Sequence, residues 1–405
     1  MKLHCTGIWT CIVSLAVCSA WAGKREMLDL TQEAIQLPSN EQARKIELYT
    51  RALKEYKGFY LPWTNRAVCY LNYGKWDEAI ADATEAINLS PTEPHAFGVR
   101  GRAYAGKRLF DQAFRDLSRA VELAKNDEDT RNLLNDRGNA YFSARKYEQA
   151  IKDYQKAIDV DSSFAQGYNN LGIAYRAVGD MDRAIQNLNS AVRFDAVSPR
   201  ALVNRGRVFL ARNDPMMARE DFNRAVDLDT KDASSLLNRG MFFFVNGEKE
   251  KALQDFEGAL LAEPNNAYAA IWRYLSTSAL TSKEAAKEAL TETIKKQKET
   301  ASWPWPIAMT LAGQSTPEET IKAAPLAGDD TRTKERLAEA HYYLGQNFIV
   351  QGDEAQGKKN LRASIEQAVP RSQEFVLAGL TLDGWKAPVP PPPRPVPSAE
   401  DLRLR

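Results

Sequence analysis

Residues 60–93, YLPWTNRAVCYLNYGKWDEAIADATEAINLSPTE, decide the fold, because the same pattern returns along most of the chain. Similar stretches follow one another in steps of 34 residues, apart from one step of 37, and begin at Pro94, Arg131, Ala165, Pro199, Ala233 and Ala267. A repeated period of this length indicates supersecondary units stacked in tandem. The three extra residues fall in the charged stretch 126–129, whose composition predicts a loop.

Several positions of the repeat, numbered from Tyr60, keep one kind of residue in the first six copies. Position 8 is Gly or Ala, position 11 is Tyr or Phe, and positions 20 and 27 are Ala. Small residues at positions 8 and 20 allow two antiparallel helices to approach closely where they cross. Glycine at position 15, in Gly74, Gly179 and Gly247, suits the left-handed residue that ends a first helix. We therefore predict an all-α fold, an α-solenoid of stacked antiparallel helix pairs.

This spacing resembles the tetratricopeptide repeat (TPR) family, which implies a TPR superhelix that binds other proteins. Around the repeats, residues near Glu26 continue the phase less clearly, and a further TPR-like repeat is expected to begin at Ala338. The predicted organisation is a signal peptide over 1–22, an N-terminal helical cap over 23–59, the TPR array over 60–300, a C-terminal helical region over 301–384 and a Pro-rich tail over 385–405.

Composition argues against several classes of protein. The chain has 405 residues, with 44% hydrophobic and 26% charged residues and a net charge of +1, so a broad basic surface for nucleic acid is not expected. Three histidines and four cysteines leave little material for a metal site, and we expect neither a cofactor nor catalysis. Cys69 is expected to be a small buried hydrophobe.

The first residues have the pattern of an export signal. Lys2 is followed by an apolar run over 8–17 and by small residues, which predicts cleavage between Ala22 and Gly23. Two alternatives remain: a lipobox in which Cys18 is lipidated, and a disordered cytoplasmic N-terminus. We expect a periplasmic protein, or an outer-membrane lipoprotein with membrane association only if Cys18 is lipidated.

Charged residues at two positions of the repeat are present together or absent together in each copy. Position 7, usually apolar in TPR sequences, is Arg in five of the first six copies, and position 23 is Asp in the same five. The remaining copy has Leu171 and Asn187 instead. We therefore expect structural ion pairs between the two helices of one copy, namely Arg66–Asp82, Arg100–Asp116, Arg137–Asp153, Arg205–Asp221 and Arg239–Asp255.

A second set of polar residues is predicted to border a ligand groove. Positions 2, 6, 9 and 13 share one face of a first helix, and first helices line the concave side of stacked helix pairs. Amide and guanidinium groups there can bind the backbone of an extended peptide, although simple solvation is the alternative. The candidates are Asn65, His95, Arg102, Asn139, Gln166, Asn170, Arg200, Asn204, Arg207 and Asn238.

The C-terminal region has a resemblance of its own. Trp303-Pro304, Leu311 with Gly313, His341 to Gly345 and Gly352-Asp353 resemble the C-terminal part of NlpI-type bacterial TPR lipoproteins, over roughly residues 300–383. Members of that family are dimeric envelope adaptors that bring a periplasmic processing protease together with cell-wall hydrolases. The resemblance implies a non-catalytic adaptor of the bacterial envelope and a possible homodimer.

Two other functions stay open at this point. The first keeps the scaffold role but places it in polysaccharide export or in the assembly of a secretion machine. The second is an enzyme with its site in residues 279–336, where Lys, Arg, Glu and Asp are scattered without any His or Cys. No acid–base arrangement is recognisable there.

Overall fold

The protein is described by a computed structural model that covers residues 22–297, 300–367 and 373–382. The predicted lipidation site Cys18, nearly all of the predicted signal peptide and the Pro-rich tail lie outside the described residues. Regular structure within these ranges is helical throughout. The helices are α1 (described over 22–36), α2 (Gln42–Glu55), α3 (Tyr60–Asn72), α4 (Trp76–Leu89), α5 (Pro94–Gly106), α6 (Phe110–Leu123), α7 (Asp127–Ser143), α8 (Tyr147–Val160), α9 (Ala165–Val178), α10 (Met181–Phe194), α11 (Pro199–Ala211), α12 (Pro215–Leu228), α13 (Ala233–Val245), α14 (Lys249–Ala262), α15 (Ala267–Leu280), α16 (Lys283–Lys295), α17 (Trp305–Leu311), α18 (Pro317–Ala323), α19 (Asp330–Val350), α20 (Glu354–Gln367) and α21 (Gln373–Thr381).

These helices form two compact units, an N-terminal unit of residues 1–167 and a C-terminal unit of residues 168–405. In the N-terminal unit, α3 packs against α4, α5 against α6 and α7 against α8, and each hairpin also packs against the next. In the C-terminal unit, α11 with α12, α13 with α14, α15 with α16 and α19 with α20 do the same. The predicted fold class, an all-α solenoid of stacked antiparallel helix pairs, is therefore confirmed within each unit.

The glycine at position 8 makes the two helices of a hairpin meet closely. A Cβ atom added to Gly101 would lie 2.7 Å from Leu117 Cγ and 3.2 Å from the Ala113 carbonyl oxygen. In the first hairpin, where position 8 is Ala67, the facing residue at position 24 is Ala83. Glycine thus accompanies a bulky partner at position 24, a relation that recurs at Gly138–Tyr154, Gly172–Leu188, Gly206–Phe222 and Gly240–Phe256.

Position 15 is left-handed in copies without glycine as well. The φ angle is positive at Gly74 (67°), Gly179 (88°) and Gly247 (82°), and equally at Arg108 (62°) and Arg145 (59°). Only two or three residues connect the helices of these hairpins. The short connection imposes the conformation even where a side chain makes it less favourable.

Two helix starts differ from the sequence predictions. Residues 127–129 were expected in a loop, but α7 begins at Asp127 because the Asn126 side chain accepts a hydrogen bond from the Asp129 N–H at 2.8 Å. The acidic residues that follow also suit the positive end of the helix dipole. Similarly, α19 begins at Asp330, eight residues before Ala338, with Asp329 as its N-cap.

Two further predictions concern the Trp303–Pro306 motif and Cys69. The Trp303–Pro306 motif interrupts the helices, and α17 starts within it at Trp305, since proline is tolerated in a first helical turn. Cys69 is a buried free cysteine in contact with α1 and α2, and burial raises the pKa of its thiol. None of the helices in the described ranges has the length and apolar character needed to span a membrane.

Candidate functional site

The arginines at position 7 are engaged within their own hairpins. Arg66 Nε donates a hydrogen bond to Asp82 Oδ2 at 2.7 Å, and Nη2 donates to Oδ1 at 2.8 Å. The paired carboxylates are only 3–12% exposed, and the hydrogen-bonded aspartate raises the pKa of arginines such as Arg100. The same two-bond geometry occurs in Arg100–Asp116, Arg137–Asp153, Arg205–Asp221 and Arg239–Asp255.

Four of these arginines also reach the preceding hairpin. Arg66 Nη1 donates to Thr50 Oγ1 at 3.0 Å, and Arg100 Nη1 donates to Thr84 Oγ1 at 3.3 Å. The acceptor is always the residue at position 25 of the preceding hairpin, which sequence reasoning missed because Thr, Ser and Asn there look like ordinary surface residues. The further contacts of this kind are Arg137–Ser118 and Arg205–Asn189. Each of the five pairs therefore ties its own hairpin together, and four of them also link it to the preceding hairpin.

The surface available to a ligand lies in the N-terminal unit, on the faces of α3, α5 and α7. Two adjoining cavities of about 670 and 450 Å³ run along these helices and share His95, Arg102, Leu133 and Asp136 as lining residues. We call them together the N-terminal groove. The predicted groove residues that line it are Asn65, His95, Arg102, Asn139 and Gln166.

Asp136 lies where the two cavities meet, and the sequence analysis did not single it out. Its side chain is 23% exposed, and the nearest cationic atom, Arg102 Nη1, is 3.9 Å away, beyond hydrogen-bond distance. Burial raises the pKa of Asp136, with an opposing effect from Arg102 and His95. The available signal was the repeat register, since position 6 is Asn in four of the first six copies and Asp only here.

Further carboxylates stand at one end of the groove. His95 Nδ1 lies 3.0 Å from Glu93 Oε1, and His95 Nε2 lies 3.2 Å from Asp129 Oδ1. The two carboxylate side chains are 12% and 16% exposed, whereas the His95 side chain is 54% exposed. At the other end, the Tyr154 hydroxyl donates to Asn139 Oδ1 at 2.9 Å and orients that amide.

The predicted groove residues of the C-terminal unit do not form a comparable open surface. Asn204 Nδ2 donates to Asn169 Oδ1 at 2.9 Å, and Arg207 Nε donates to Asn238 Oδ1 at 2.8 Å. Asn170 accepts a hydrogen bond from Asn169, and Arg200 is exposed. These side chains are largely engaged with one another, and a role for them in ligand binding stays a prediction.

Helix α21 covers part of the same face. It packs against α11 and α13, and Val376 and Leu377 border a small pocket together with Arg207, Leu210 and Phe242. The first helices of the C-terminal unit thus bind a segment of their own chain. Sequence reasoning could not foresee this contact, because nothing in the composition of residues 373–381 indicates which surface the helix covers.

Among the described residues, no group of three or more His, Cys, Asp or Glu side chains is arranged to hold a metal ion.

Comparison with known protein families identifies the repeats. A TPR repeat model matches residues 138–179, and tetratricopeptide repeat models match residues 165–197 and 203–270. These matches end before residue 300, so the resemblance of the C-terminal region to NlpI-type lipoproteins stays a prediction.

Similar curated proteins share only a short segment with this chain. Protein unc-45 homolog B of Xenopus tropicalis and that of Xenopus laevis are each 33% identical over 88 residues, which is 21% of this chain and 10% of theirs. The matched segment therefore spans about a tenth of the length of these curated relatives.

Solved structures with a similar fold are more distant in sequence. They include YrrB, described as a TPR protein with an unusual peptide-binding site (19% identity, 47% of this chain and 97% of that chain, TM-score 0.35). Pseudomonas aeruginosa pilF has 16% identity, 51% and 93% coverage and a TM-score of 0.42. A tetratricopeptide repeat protein of Parabacteroides merdae has 13% identity, 71% and 98% coverage and a TM-score of 0.44. The family models and the stacked hairpins together show that this chain contains tetratricopeptide repeats within residues 138–270.

Proposed function

We propose that this protein is a non-catalytic scaffold whose N-terminal groove binds an extended segment of a partner protein. The observation that carries the proposal is that polar side chains from three successive first helices converge on one continuous open groove. Tetratricopeptide-repeat proteins are in general scaffolds of this kind, and stacked helix pairs use such extended surfaces for binding.

The chemistry of the groove suits a peptide backbone. Asn65, Asn132, Asn139 and Gln166 each carry an amide that both donates and accepts hydrogen bonds, which matches the alternating N–H and C=O groups of an extended chain. The amides stand on helices that are already folded and packed, so little conformational entropy is lost when a peptide binds. In the C-terminal unit, by contrast, α21 already occupies part of the corresponding face.

A phage-displayed library of random peptides, selected on the purified chain, tests this proposal. Asn132 is exposed and lines the larger cavity, so Asn132→Trp should fill the groove without disturbing the core. Gln149→Trp on α8 is the matched control, because Gln149 is exposed and does not line either cavity. Peptides enriched on the wild type should bind Asn132→Trp at least about tenfold more weakly and Gln149→Trp normally. Equal binding by both variants would contradict the proposal.

A more specific proposal concerns the location of the chain in the cell and the proteins that it binds. We propose that the chain is exported to the bacterial periplasm, or to the outer membrane if Cys18 is lipidated, and there links a periplasmic protease to cell-wall hydrolases as a homodimer. Support comes from the export pattern of residues 1–22 and from the NlpI-type resemblance of residues 300–383. Co-purification of the chain with polysaccharide-export or secretion components would instead favour the alternative scaffold role.

Mass spectrometry of the chain purified from bacterial envelopes tests the location. A first residue at Gly23 supports signal cleavage, and a lipidated Cys18 supports the lipoprotein alternative. An intact N-terminus at Met1 in the cytoplasmic fraction would contradict export. Light scattering of the purified protein tests the homodimer, and a particle mass equal to that of a single processed chain would contradict it.

A further inference from the structure

We infer that the N-terminal groove selects segments carrying a basic side chain, whose ammonium or guanidinium group binds to Asp136. This inference rests on the proposed function and names the chemistry of the partner. It assigns to Asp136 a role that the fold itself does not require.

The Asp136 carboxylate has a central position in the groove. Asp136 lines both cavities at the place where they meet, so a chain lying along the groove must pass over it. Within the described residues, its one ion pair is the long contact to Arg102, and no donor lies within hydrogen-bond distance. A carboxylate that is mostly withdrawn from water normally receives several hydrogen bonds. Asp136 therefore keeps acceptor capacity for a ligand.

Carboxylates are the least exposed charged groups along the groove. Glu93 and Asp136 line it together with a single guanidinium, that of Arg102, and Asp129 contacts His95. Lys125 Nζ lies 3.8 Å from Glu93 Oε2. The carboxylate side chains are 12–23% exposed, whereas the Arg102, His95 and Lys125 side chains are 45%, 54% and 63% exposed. These three exposed side chains can move away from the groove, which leaves the carboxylates as a negatively charged floor. Such a surface favours a positively charged ligand.

The other repeats show that position 6 does not need a charge. Four of the other five copies have an amide there and the fifth has Val99, so an uncharged side chain satisfies the fold; the amides are Asn65, Asn170, Asn204 and Asn238. Replacing such a side chain by a carboxylate adds a desolvation cost that the free protein does not recover. Burial raises the pKa of Asp136, in agreement with such a cost. A bound cation offsets the desolvation cost of Asp136. The groove therefore prefers a positively charged ligand, a preference that an asparagine at this position could not provide.

Parallel selections of a phage-displayed random peptide library on the wild type and on Asp136→Asn test the inference. The wild-type pool should be enriched in Lys or Arg at one position, and the pool from Asp136→Asn should lose that enrichment. Asp111→Asn on α6 is the charge-matched control, because Asp111 is exposed and does not line the groove. It should give the wild-type pool.

A double-mutant cycle then measures the contact itself. In the best peptide of the wild-type pool, norleucine replaces the enriched lysine, or citrulline replaces the enriched arginine. The replacement should weaken binding to the wild type by at least about tenfold and binding to Asp136→Asn by less than about twofold. An equal loss in both proteins, or a wild-type pool without a basic position, would overturn the inference. Because Asn132→Trp weakens peptide binding whatever residue meets Asp136, its effect separates failure of the inference from failure of the proposed function.

Discussion

Arg100 and Arg102 lie two residues apart on one helix but differ in their distances from their carboxylate partners. Arg100 donates hydrogen bonds of 2.7 and 3.0 Å to Asp116, whereas Arg102 Nη1 stays 3.9 Å from Asp136. The first pair lies inside a hairpin, and the second lies in an open groove. Bidentate geometry marks a pair that maintains the fold, and the loose contact marks one that a ligand can replace.

Asp136→Asn is expected to stabilise the free protein near neutral pH, by about 1 kcal/mol for relief of a poorly compensated buried charge. Burial raises the pKa of Asp136 in the folded state above its unfolded value, so the folded state favours the protonated form. The contribution of Asp136 to the free energy of unfolding of the wild type is fully present below the ordinary aspartate pKa of about 4, where the group is protonated. This contribution is lost as the pH rises through the raised pKa of the folded state and the buried group becomes charged. The advantage of the variant should therefore be largest at neutral pH and should vanish in acid. Urea unfolding of both proteins across this range checks the prediction, and a variant less stable than the wild type at neutral pH would contradict it.

Arg66→Ala should lower the free energy of unfolding by about 3 kcal/mol, because it strands the buried Asp82 carboxylate. In an Asp82→Ala background the same change should cost much less, apart from the bond to Thr50. The chain supplies its own control, since one hairpin has Leu171 and Asn187 at the two positions. Arg66→Leu combined with Asp82→Asn should accordingly be less destabilising than either single change. Equal costs of Arg66→Ala in both backgrounds, measured by denaturant unfolding, would show that the pair is not coupled.

Gly240→Ala should destabilise the C-terminal unit by about 1–3 kcal/mol, as expected for overpacking. The added Cβ would lie 2.6 Å from Phe256 Cε1, and that ring is fully buried. Gly258→Ala is the control in the neighbouring helix, where the added Cβ would meet only the end of the Leu236 side chain at 3.2 Å. Thermal unfolding should show a clearly larger loss for Gly240→Ala. Equal losses would mean that the close contact at position 8 does not limit the approach of the two helices.

Leu377→Ala should loosen α21 from the face that it covers. Leu377 is 3% exposed, and truncation of a buried leucine costs about 2–5 kcal/mol where the site cannot collapse. Amide hydrogen exchange should rise in α11 and α13, against which α21 packs. Leu261→Ala, at a side chain that is 86% exposed, is the matched control and should leave exchange unchanged. Unaltered exchange in α11 and α13 of the Leu377 variant would contradict the packing role of α21.

Features repeated along the chain could be predicted from the sequence, because residues at the same position can be compared between copies. The joint absence of Arg and Asp in the copy with Leu171 and Asn187 suggests a pairing within one hairpin, and that geometry is present in the other five. Features that occur once could not be predicted in this way. The start of α7 depends on the cap formed by Asn126, and composition alone does not distinguish this from a loop.

The candidate site was predicted only in part, for a related reason. Polar residues at positions 2, 6 and 9 indicate a face, but a sequence does not say which part of that face a distant helix covers. Contacts of α21 remove part of the C-terminal unit from the predicted surface. Asp136 was overlooked because a polar residue at position 6 is ordinary; its loose partner and its place between two cavities become visible only in three dimensions.

Zero-length carbodiimide crosslinking tests the central claim most directly, because it joins a lysine of a bound peptide to a carboxylate in contact with it. The reaction uses the best lysine-containing peptide from the wild-type selection, and mass spectrometry identifies the carboxylate that is linked. We expect the link at Asp136, with its loss in Asp136→Asn and its persistence in Asp111→Asn. A peptide linked only to carboxylates outside the N-terminal groove, with the same yield in Asp136→Asn, would contradict the account.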